Sequence, residues 1–435
     1  MDILRVKELL LQAAENPDLS FDDWEITQEM RRGWEFYFIR HQLDQNRAKQ
    51  VRAINLKLYK KSGDGQFLGS ASMEIDPTAS DEEVMQVIRD LIYRASLVKN
   101  PVYSLVSGDG KAHQSFKMVS LEAISDGFIR ALQDVQETET EDVNSYEIFV
   151  SEISRHYINS QGADYLTVYP SSMLEVVVNA RDREKAHEIE LYRMLTGGSC
   201  DRDHVISVIE KAMQYGKDKL ICEPTPAIGQ APVILSGDNA LEVYRYFLMQ
   251  MNVSAKYQQI SRAEIGKPLQ EGIEGDRITL RAVRELPNAS HNFTVDEEGS
   301  SIQEKVLMED GIVRAFYGKR QFAQYLGIDE CSNVYNYVVE PGTASETALR
   351  TGAYLEAVEF SDFQVDPMTG DIAGEIRLGY LHDGDTTRIV SGGSISGSMN
   401  EAMKHMHLSS EKTLYDGADV PSLIRFDSLT VTGIS

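Results

Sequence analysis

Residues 232–250 have the sequence PVILSGDNALEVYRYFLMQ. The short apolar run at 233–235 is typical of a buried strand, and the longer run that follows it predicts a helix near 238–251. The preceding segment, 224–232, holds three of the chain's twelve prolines and is predicted to be a linker. We therefore expect a C-terminal domain that spans 224–435 and begins with a strand leading into a helix.

Length and composition are those of a globular protein with more than one domain. At 435 residues the chain is too long for one ordinary core, so two or three domains are expected. Hydrophobic residues make up 42% of the chain, enough for a core, and the net charge of −25 disfavours binding to phosphate backbones. We expect no nucleic acid among its partners.

Cysteine usage and apolar patterning predict the compartment. Cys200, Cys222 and Cys331 are widely separated, odd in number and form no Cys-x-x-Cys pair, which favours a reducing compartment. No apolar stretch approaches the roughly 20 residues that cross a bilayer, and charges interrupt the N-terminal apolar run at once. The prediction is a cytoplasmic protein without a membrane partner.

Residues 1–105 are predicted to form an α+β domain. Apolar residues at helical spacing indicate a helix over 3–15. Ser80-x-x-Glu83 is a capping box for a second helix over 81–98. Extended segments are predicted at 34–39, 51–59 and 67–75, the last two joined by Gly63-Asp64-Gly65 as a hairpin.

Residues 106–223 are predicted to form a second α+β region. A helix is expected over 120–135, and Asp201 is expected to cap another over 202–215 that ends at Gly216. Five short strands are predicted between them, at 146–150, 156–159, 165–169, 174–179 and 188–195.

The last part of the chain is predicted to be rich in strands. After the helix near 238–251, turn signals recur every 8–15 residues, among them Asp310-Gly311, Gly370 and Gly392-Gly393. Such spacing is typical of a barrel or a sandwich. The predicted fold class is α+β, with an N-terminal sheet-and-helix part followed by a β-rich, barrel-like C-terminal domain.

Several segments together resemble the PmbA/TldD family, in the same order and over most of the chain. They are Ile158-Asn159-Ser160-x-Gly162, Pro232-Val233-Ile234-Leu235, Val295-Asp296-Glu297-Glu298-Gly299 with Glu309-Asp310-Gly311, Gly392-Gly393-Ser394-Ile395-Ser396-Gly397, and Pro421-Ser422-Leu423-Ile424. Each segment alone is weakly specific. Their occurrence together in the family's order is much more specific. One departure is Glu297, which stands where the family usually has Asp.

The resemblance directs attention to a metal motif. TldD-type zinc peptidases carry His-Glu-x-x-x-His on the helix after the Pro-Val-Ile-Leu strand, and Arg245, Tyr246 and Gln250 fall at the three motif positions. Arg cannot lose its proton to become a ligand, and Tyr and Gln do not replace a catalytic Glu and a ligating imidazole. The chain therefore resembles the metal-free TldE/PmbA branch, and we expect no catalytic residue, no metal and no cofactor of its own.

The resemblance also implies partners. It implies a dimer that encloses a cavity, formed with a TldD-like paralogue or with itself, and extended or unfolded peptides as ligands. A subunit of this kind would serve proteolysis and peptide maturation without cleaving the peptide itself. The free strand edges of a β-rich half also favour a dimer through the C-terminal domain.

Residues 290–299 contain the densest group of functional side chains. His291, Asn292, Asp296, Glu297 and Glu298 lie within eight residues, and three successive carboxylates beside a His could hold a cation or form one wall of a peptide cleft. The same segment could equally be a tight acidic turn closed by a glycine. We predict it as the candidate substrate- or partner-binding site.

Other histidines offer weaker metal hypotheses. His187-Glu188 lacks a second His four residues on, and its period-2 pattern indicates a strand. His405-x-His407 would share a face on a strand but diverge on the helix that 399–408 predicts. The glycine- and serine-rich run at 392–397 lacks a nucleotide-binding Lys and is predicted to be a turn between strands.

Two alternative functions stay open from the sequence. One is an independent hydrolase with a non-standard metal site built from His291, His382, His405 or His407. The other is a regulatory binding protein without peptidase activity, which the family's historic description as a modulator of DNA gyrase suggests.

Overall fold

The computed structural model describes residues 1–108, 113–115, 119–329 and 331–434. The first half is a large sheet with helices packed on it, and the second half combines a closed barrel with a smaller sheet. The predicted fold class, α+β with a barrel-like C-terminal domain, is confirmed. The domain boundaries stay a prediction, and one sheet draws strands from both sides of the proposed boundary at 105/106.

The first half contains four helices and eight strands within the described residues. In chain order they are α1 Ile3–Ala14, β1 Asp23–Ile39, β2 Gln42–Ser62, β3 Phe67–Ile75, α2 Asp81–Ser96, β4 Asn100–Pro101, β5 His113–Ser115, α3 Leu121–Asp134, β6 Glu141–Asn159, β7 Asp164–Asp182, β8 His187–Gly197 and α4 Arg202–Lys219.

These strands form one sheet in the order β4-β3-β2-β1-β6-β7-β5, with β8 also paired to β7. Strand β1 lies at the centre and pairs with β2 and β6 over nearly its whole length. Helices α1 and α2 pack over one part of the sheet, and α3 and α4 pack over another. Ser80 and Glu83 form the predicted capping box at the start of α2.

The strands are longer than the sequence pattern predicts. The segments predicted at 146–150 and 156–159 belong to the single strand β6, and those at 165–169 and 174–179 belong to β7. The polar residues between them stay extended because β1 and β7 pair with β6 on both sides. Backbone pairing across the sheet therefore overrides a local pattern that lacks alternation.

The predicted end of α4 at Gly216 is wrong, because the helix continues to Lys219. Gly216 is buried where α4 crosses β7, and a Cβ there would lie 2.9 Å from the Cβ of Ala180. This glycine permits a close approach of helix and sheet instead of stopping the helix.

The second half contains short helices and fourteen strands within the described residues. In chain order they are β9 Glu223–Pro224, β10 Gly229–Ser236, α5 Asp238–Gln250, α6 Val253–Tyr257, β11 Leu280–Val283, β12 Lys305–Glu309, β13 Ile312–Val313, α7 Arg320–Tyr325, β14 Asn336–Val339, α8 Glu346–Leu349, β15 Ala353–Val365, β16 Asp371–Asp383, β17 Thr387–Ser391, β18 Ser394–Ser398, α9 Met399–Ala402, a 3₁₀ turn Met403–His405, β19 Met406–Leu408, β20 Lys412–Tyr415, β21 Ala418–Pro421 and β22 Leu423–Thr432.

Five of these strands close into a barrel. The order is β15-β10-β22-β18-β16, and β16 pairs back onto β15. The remaining small sheet has the order β13-β12-β11-β14-β21-β20. Helix α5 packs against the barrel with Tyr244 and Phe247, both fully buried in the largest core of the chain.

Two local predictions in this half are wrong for the same reason. The predicted linker 224–232 ends in β10, which starts at Gly229 and pairs with β22. The predicted helix over 399–408 stops at Ala402, and Met406–Leu408 instead form β19 beside β22. In both places an available strand edge outweighs the local preference.

None of the helices in the described ranges has the length and apolar content that a membrane crossing requires.

Candidate functional site

Helix α5 carries the three residues at the positions of the metal motif, and their environments differ. Arg245 is 59% exposed and lies 3.4 Å from the carboxylate of Glu242. Tyr246 is buried and packs edge-on against Phe247. Gln250 is buried at the end of the helix, with 1% of its surface exposed.

Both ends of the Gln250 amide are occupied by backbone groups. Its Nε2 donates to the carbonyl of Pro367 at 2.6 Å, and its Oε1 accepts from the N–H of Arg262 at 3.1 Å. The side chain thus ties α5 to the turn before β16 and to the loop after α6. This position acts as a hydrogen-bond clamp in the packing of the domain.

Asp296 organises the acidic turn from the inside. Its Oδ1 accepts from the N–H groups of Glu298 and Ser300 at 3.0 and 2.9 Å, and its Oδ2 accepts from Asn333 N–H at 3.0 Å. Burial raises the pKa of Asp296 to about 6 despite these hydrogen bonds. The turn is closed by Gly299 at φ 79°, as the alternative interpretation of this segment expects.

Glu297 points to a different set of partners. Asn333 Nδ2 donates to its Oε1 at 2.7 Å, and the Tyr335 hydroxyl donates to its Oε2. Burial alone would raise the pKa of Glu297, but these hydrogen bonds hold it below its usual range. Arg155 of β6 donates to the Glu297 carbonyl at 3.3 Å, which links the first sheet to the turn.

Glu298 faces the first sheet. Its Oε2 accepts from Arg320 N–H at 2.9 Å. Burial and the neighbouring Asp296 carboxylate raise the pKa of Glu298 to about 7, and the charge of Glu25 on β1 acts in the same direction. A carboxyl group of this kind changes its protonation near neutral pH.

Glu25 is the centre of a partly buried polar cluster at this junction. Tyr59 and Tyr157 donate to its two carboxylate oxygens at 2.7 and 2.9 Å, and the Lys57 ammonium lies 3.5 Å away. Burial raises the pKa of Tyr157 far above its usual value. Asn159, from the Asn-Ser-x-Gly segment, donates to the Tyr157 hydroxyl at 3.2 Å.

His291 and Asn292 are structural neighbours of the turn. The His291 ring packs among aromatic rings, 5.5 Å from Tyr169 and 5.7 Å from Tyr335, and burial lowers its pKa. Asn292 exchanges two hydrogen bonds of 3.0 Å with the backbone of Leu286. The structure thus brings all five predicted residues to one junction but directs their side chains to different partners.

The space at this junction is small. A cavity of about 10 Å³, bordered by Arg155, Thr167 and Asp296 among others, separates β6 and β7 from the turn. Such a volume suits about one water molecule, not a peptide. The acidic turn therefore packs as a contact between the first sheet and the second half of the chain.

Sequence reasoning did not find Glu25, Lys57, Tyr157 or Arg155. They lie on three strands, each more than 130 residues before the turn, and only strand register brings them together. No local motif marks them. The Asn159 segment, which the family resemblance did include, was the one available signal.

The other histidines have separate neighbours. The His382 ring stacks on Tyr354 at 4.3 Å, His405 lies 3.6 Å from Glu274, and His407 lies 3.3 Å from Asp427. His187 begins β8 and is exposed, as its period-2 pattern predicts. Among the described residues, no group of three or more His, Cys, Asp or Glu side chains is arranged to hold a metal ion.

The fold and the junction define a protein of two halves, in which a helix-covered sheet packs against a half that contains a five-stranded barrel. Residues 228–433 match the family model described as the PmbA/TldA metallopeptidase C-terminal domain. This match supports membership of the PmbA/TldD family. A comparison with curated protein sequences gives no significant match.

Solved structures match over nearly the whole chain. TldE from Thermococcus kodakarensis has a TM-score of 0.75 and 17% identity, covering 98% of this chain and 100% of that one. A candidate modulator of a DNA gyrase from Thermotoga maritima has a TM-score of 0.77 and 15% identity, covering 99% and 100%. A similar protein from Bacteroides thetaiotaomicron has 0.74 and 16%, covering 98% and 99%. At these identities the similarity establishes a shared fold.

Proposed function

We propose that this chain is a TldE-like subunit without a zinc site of its own, which assembles with a TldD-type zinc metallopeptidase acting on unfolded peptides or peptide precursors. The observation that carries the proposal is the Gln250 clamp. At the position of the second motif His, this chain has an amide whose donor and acceptor both serve the packing of the domain.

The chemistry of the other two positions points the same way. Amide hydrolysis at neutral pH needs an activated water and a general base, which a zinc ion and a nearby Glu supply. Arg245 is a permanent cation on the exposed side of α5, and Tyr246 is buried in the apolar core. Neither side chain offers a carboxylate or an imidazole to a metal.

The family and the fold support a peptidase-related role. The matched C-terminal domain is named for metallopeptidases, and the fold is shared with a TldE over nearly the whole length. The barrel and the sheet that would frame a peptide are retained, while the motif residues are replaced. A chain with those properties suits a partner that shapes a cavity.

Mixing experiments test this proposal. The purified chain alone is expected to cleave no unfolded peptide, and its mixture with a TldD-type peptidase from the same source is expected to be active and chelator-sensitive. The matched control is the same mixture with the Glu of the peptidase's His-Glu-x-x-x-His replaced by Gln, which should be inactive. Chelator-sensitive cleavage by the isolated chain, with one zinc per chain in elemental analysis, would overturn the proposal.

A variant that restores the motif distinguishes two explanations: that the chain has lost only its metal ligands, or that it has also lost the cavity around them. Arg245→His/Tyr246→Glu/Gln250→His restores the three motif residues but breaks the Gln250 clamp, so a lower unfolding free energy is expected. If the variant still folds and binds zinc, measured by elemental analysis, then only the ligands were lost. Gln250→Ala serves as the control for the broken clamp.

A further inference from the structure

The outer edge of β2 is open over half its length. Strand β1 pairs with β2 from Asp23↔Tyr59 to Ile39↔Gln42, whereas β3 pairs with β2 only over Ile54–Ser62. No described strand pairs with the outer side of residues 42–53. Every residue from 42 to 52 is exposed.

The positively charged side chains of this strand do not protect its free edge from pairing with another strand. Lys49 on β2 reaches the carboxylate of Glu35 on β1 at 3.1 Å, and Arg47 lies over the ring of Tyr37 at 5.1 Å. Free edges are commonly protected by charges that project from the edge strand. Here Lys49 and Arg47 are drawn toward β1, on the face away from the helices. Arg52, the third cation, donates to the carbonyl of Met1 at 3.0 Å.

A groove opens on the helix side of the same edge. It has a volume of about 470 Å³ and lies between the β1–β2 ribbon and helix α3. Trp34 and Phe36 of β1 form an aromatic floor beside Asn46 of β2, and Glu122 and Asp126 of α3 form the opposite wall. Its size is within the range of ligand-binding pockets.

The register connects the edge to the groove. Phe36 pairs with Asn46 and Trp34 pairs with Ala48, so these side chains share one face of the ribbon. A strand added to the outer edge of β2 would present alternate side chains on that same face. Every second residue of an added strand would therefore lie at the groove.

The charges of the groove select a cation. Within the described residues the Glu122 carboxylate makes no ion pair or hydrogen bond, although the backbone carbonyl of Glu122 accepts from Ser125. Asp126 is paired with Arg130 at 2.6 Å. A guanidinium or ammonium group could stack on Trp34 and pair with these carboxylates. A second copy of this chain, with a net charge of −25, is a poorer occupant because like charges repel.

We propose that the open edge of β2 and the adjoining groove bind an extended, basic segment of an unfolded polypeptide. The peptide adds a strand to β2 through its backbone, and its Arg or Lys side chains enter the groove between Trp34 and Glu122. The proposal takes only its occupant, an unfolded peptide, from the proposed function, and it concerns the isolated chain.

Intrinsic fluorescence tests occupation of the groove. The chain has two tryptophans, of which Trp24 is buried and Trp34 is 37% exposed in the groove. A blocked peptide of about ten residues that alternates Thr and Arg is the probe, because that length matches the open edge. We expect a saturable change in fluorescence that Trp34→Phe abolishes, and no change with a Thr-Glu peptide.

Charge variants test the groove wall. Glu122→Gln/Asp126→Asn should weaken binding of the Thr-Arg peptide about tenfold, since two charge-assisted contacts are lost. The matched control is Glu82→Gln/Asp362→Asn, which removes the same two charges from the first turn of α2 and from an exposed part of β15 and should leave affinity unchanged. An equal loss of affinity in both variants would contradict binding in the groove, because it would show only a general attraction between opposite charges.

Hydrogen exchange tests the strand addition. Amides of β2 residues 42–53 should gain protection when the Thr-Arg peptide binds, and a version N-methylated at alternate residues should neither bind nor protect. Protection of these amides at high protein concentration without peptide would instead make a second copy the occupant. Inactivity of a mixture with a TldD-type peptidase would count against the proposed function while leaving peptide binding by this chain intact.

Discussion

The C-terminal barrel and the β1–β2 ribbon are both built mainly from antiparallel strands, but their edges are treated in opposite ways. The five barrel strands pair around a closed circle, and Val233, Leu355 and Ile395 on them are fully buried. The ribbon ends in an open edge whose residues 42–52 are all exposed. Closure therefore concentrates stability in the barrel, whereas the ribbon keeps backbone groups available for binding.

The largest expected effect is a core truncation in the barrel domain. Phe247→Ala should lower the unfolding free energy by about 3–5 kcal/mol, because it removes a fully buried ring packed between α5 and the barrel. Urea unfolding followed by circular dichroism measures it. Leu43→Ala on the open ribbon, where Leu43 is 52% exposed, should change the same quantity by less than about 0.5 kcal/mol. Similar losses in both variants would remove the contrast between the two regions.

A smaller effect is expected at the junction between the halves. Asp296→Asn should lower the unfolding free energy by about 2 kcal/mol, because one carboxylate oxygen becomes an NH₂ group that cannot accept the backbone hydrogen bond made at that position. Thermal unfolding of the whole chain is the measurement, and Asp362→Asn on an exposed part of β15 is the matched control. An unchanged midpoint for Asp296→Asn would show that the turn contributes nothing to the packing of sheet and barrel.

An effect of similar size, spread over several pH units, is a pH dependence at the same junction. The folded pKa of Glu298, about 7, is above that of an unfolded Glu, so the folded state binds this proton more tightly. Its contribution to stability is present at about pH 4 and is lost as pH rises through 7, by an amount of the order of 2 kcal/mol. Asp296, Glu25 and Lys57 are the charged groups that face it.

Glu298→Gln removes this titration while preserving the shape of the side chain. Between pH 5 and 8 the unfolding free energy of the variant should fall less steeply than that of the wild type, measured by urea titration at each pH. Groups with lowered pKa values, such as Asp81, are ionised in both folded and unfolded states throughout that range, so they do not obscure the comparison. If the unfolding free energies of the two proteins changed with pH in parallel, the stability of the junction would not depend on protonation of Glu298.

Local patterns predicted the elements whose signals are contained in a few neighbouring residues. The capping box at Ser80 and Glu83, the Asp201 cap of α4 and the strand-to-helix step into α5 all occur where the sequence places them. The wrong predictions, at Gly216, over the linker 224–232 and over 399–408, share a cause. In each case a partner from elsewhere in the chain, β7 or β22, alters what the local sequence prefers.

The candidate site shows the same division. The sequence predicted that His291, Asn292, Asp296, Glu297 and Glu298 belong together, and the structure places them at one junction. It did not predict that the turn would close over Glu25 and Tyr157, because those side chains reach it only through the register of β1 and β6. The family resemblance, not any spacing, directed attention to Arg245, Tyr246 and Gln250.

The sequence by itself determined the chemistry at each position: a cation, a phenol and an amide at the three motif positions on α5, and three carboxylates beside a glycine in the acidic turn. Tertiary structure alone decided what those groups do. The Gln250 amide hydrogen-bonds to the backbone of two loops. Asp296 is buried among backbone N–H donors, and Glu122 faces an open groove. The physical reason is that side-chain type is written in the chain, whereas desolvation and hydrogen-bond partners depend on which distant strands pack together.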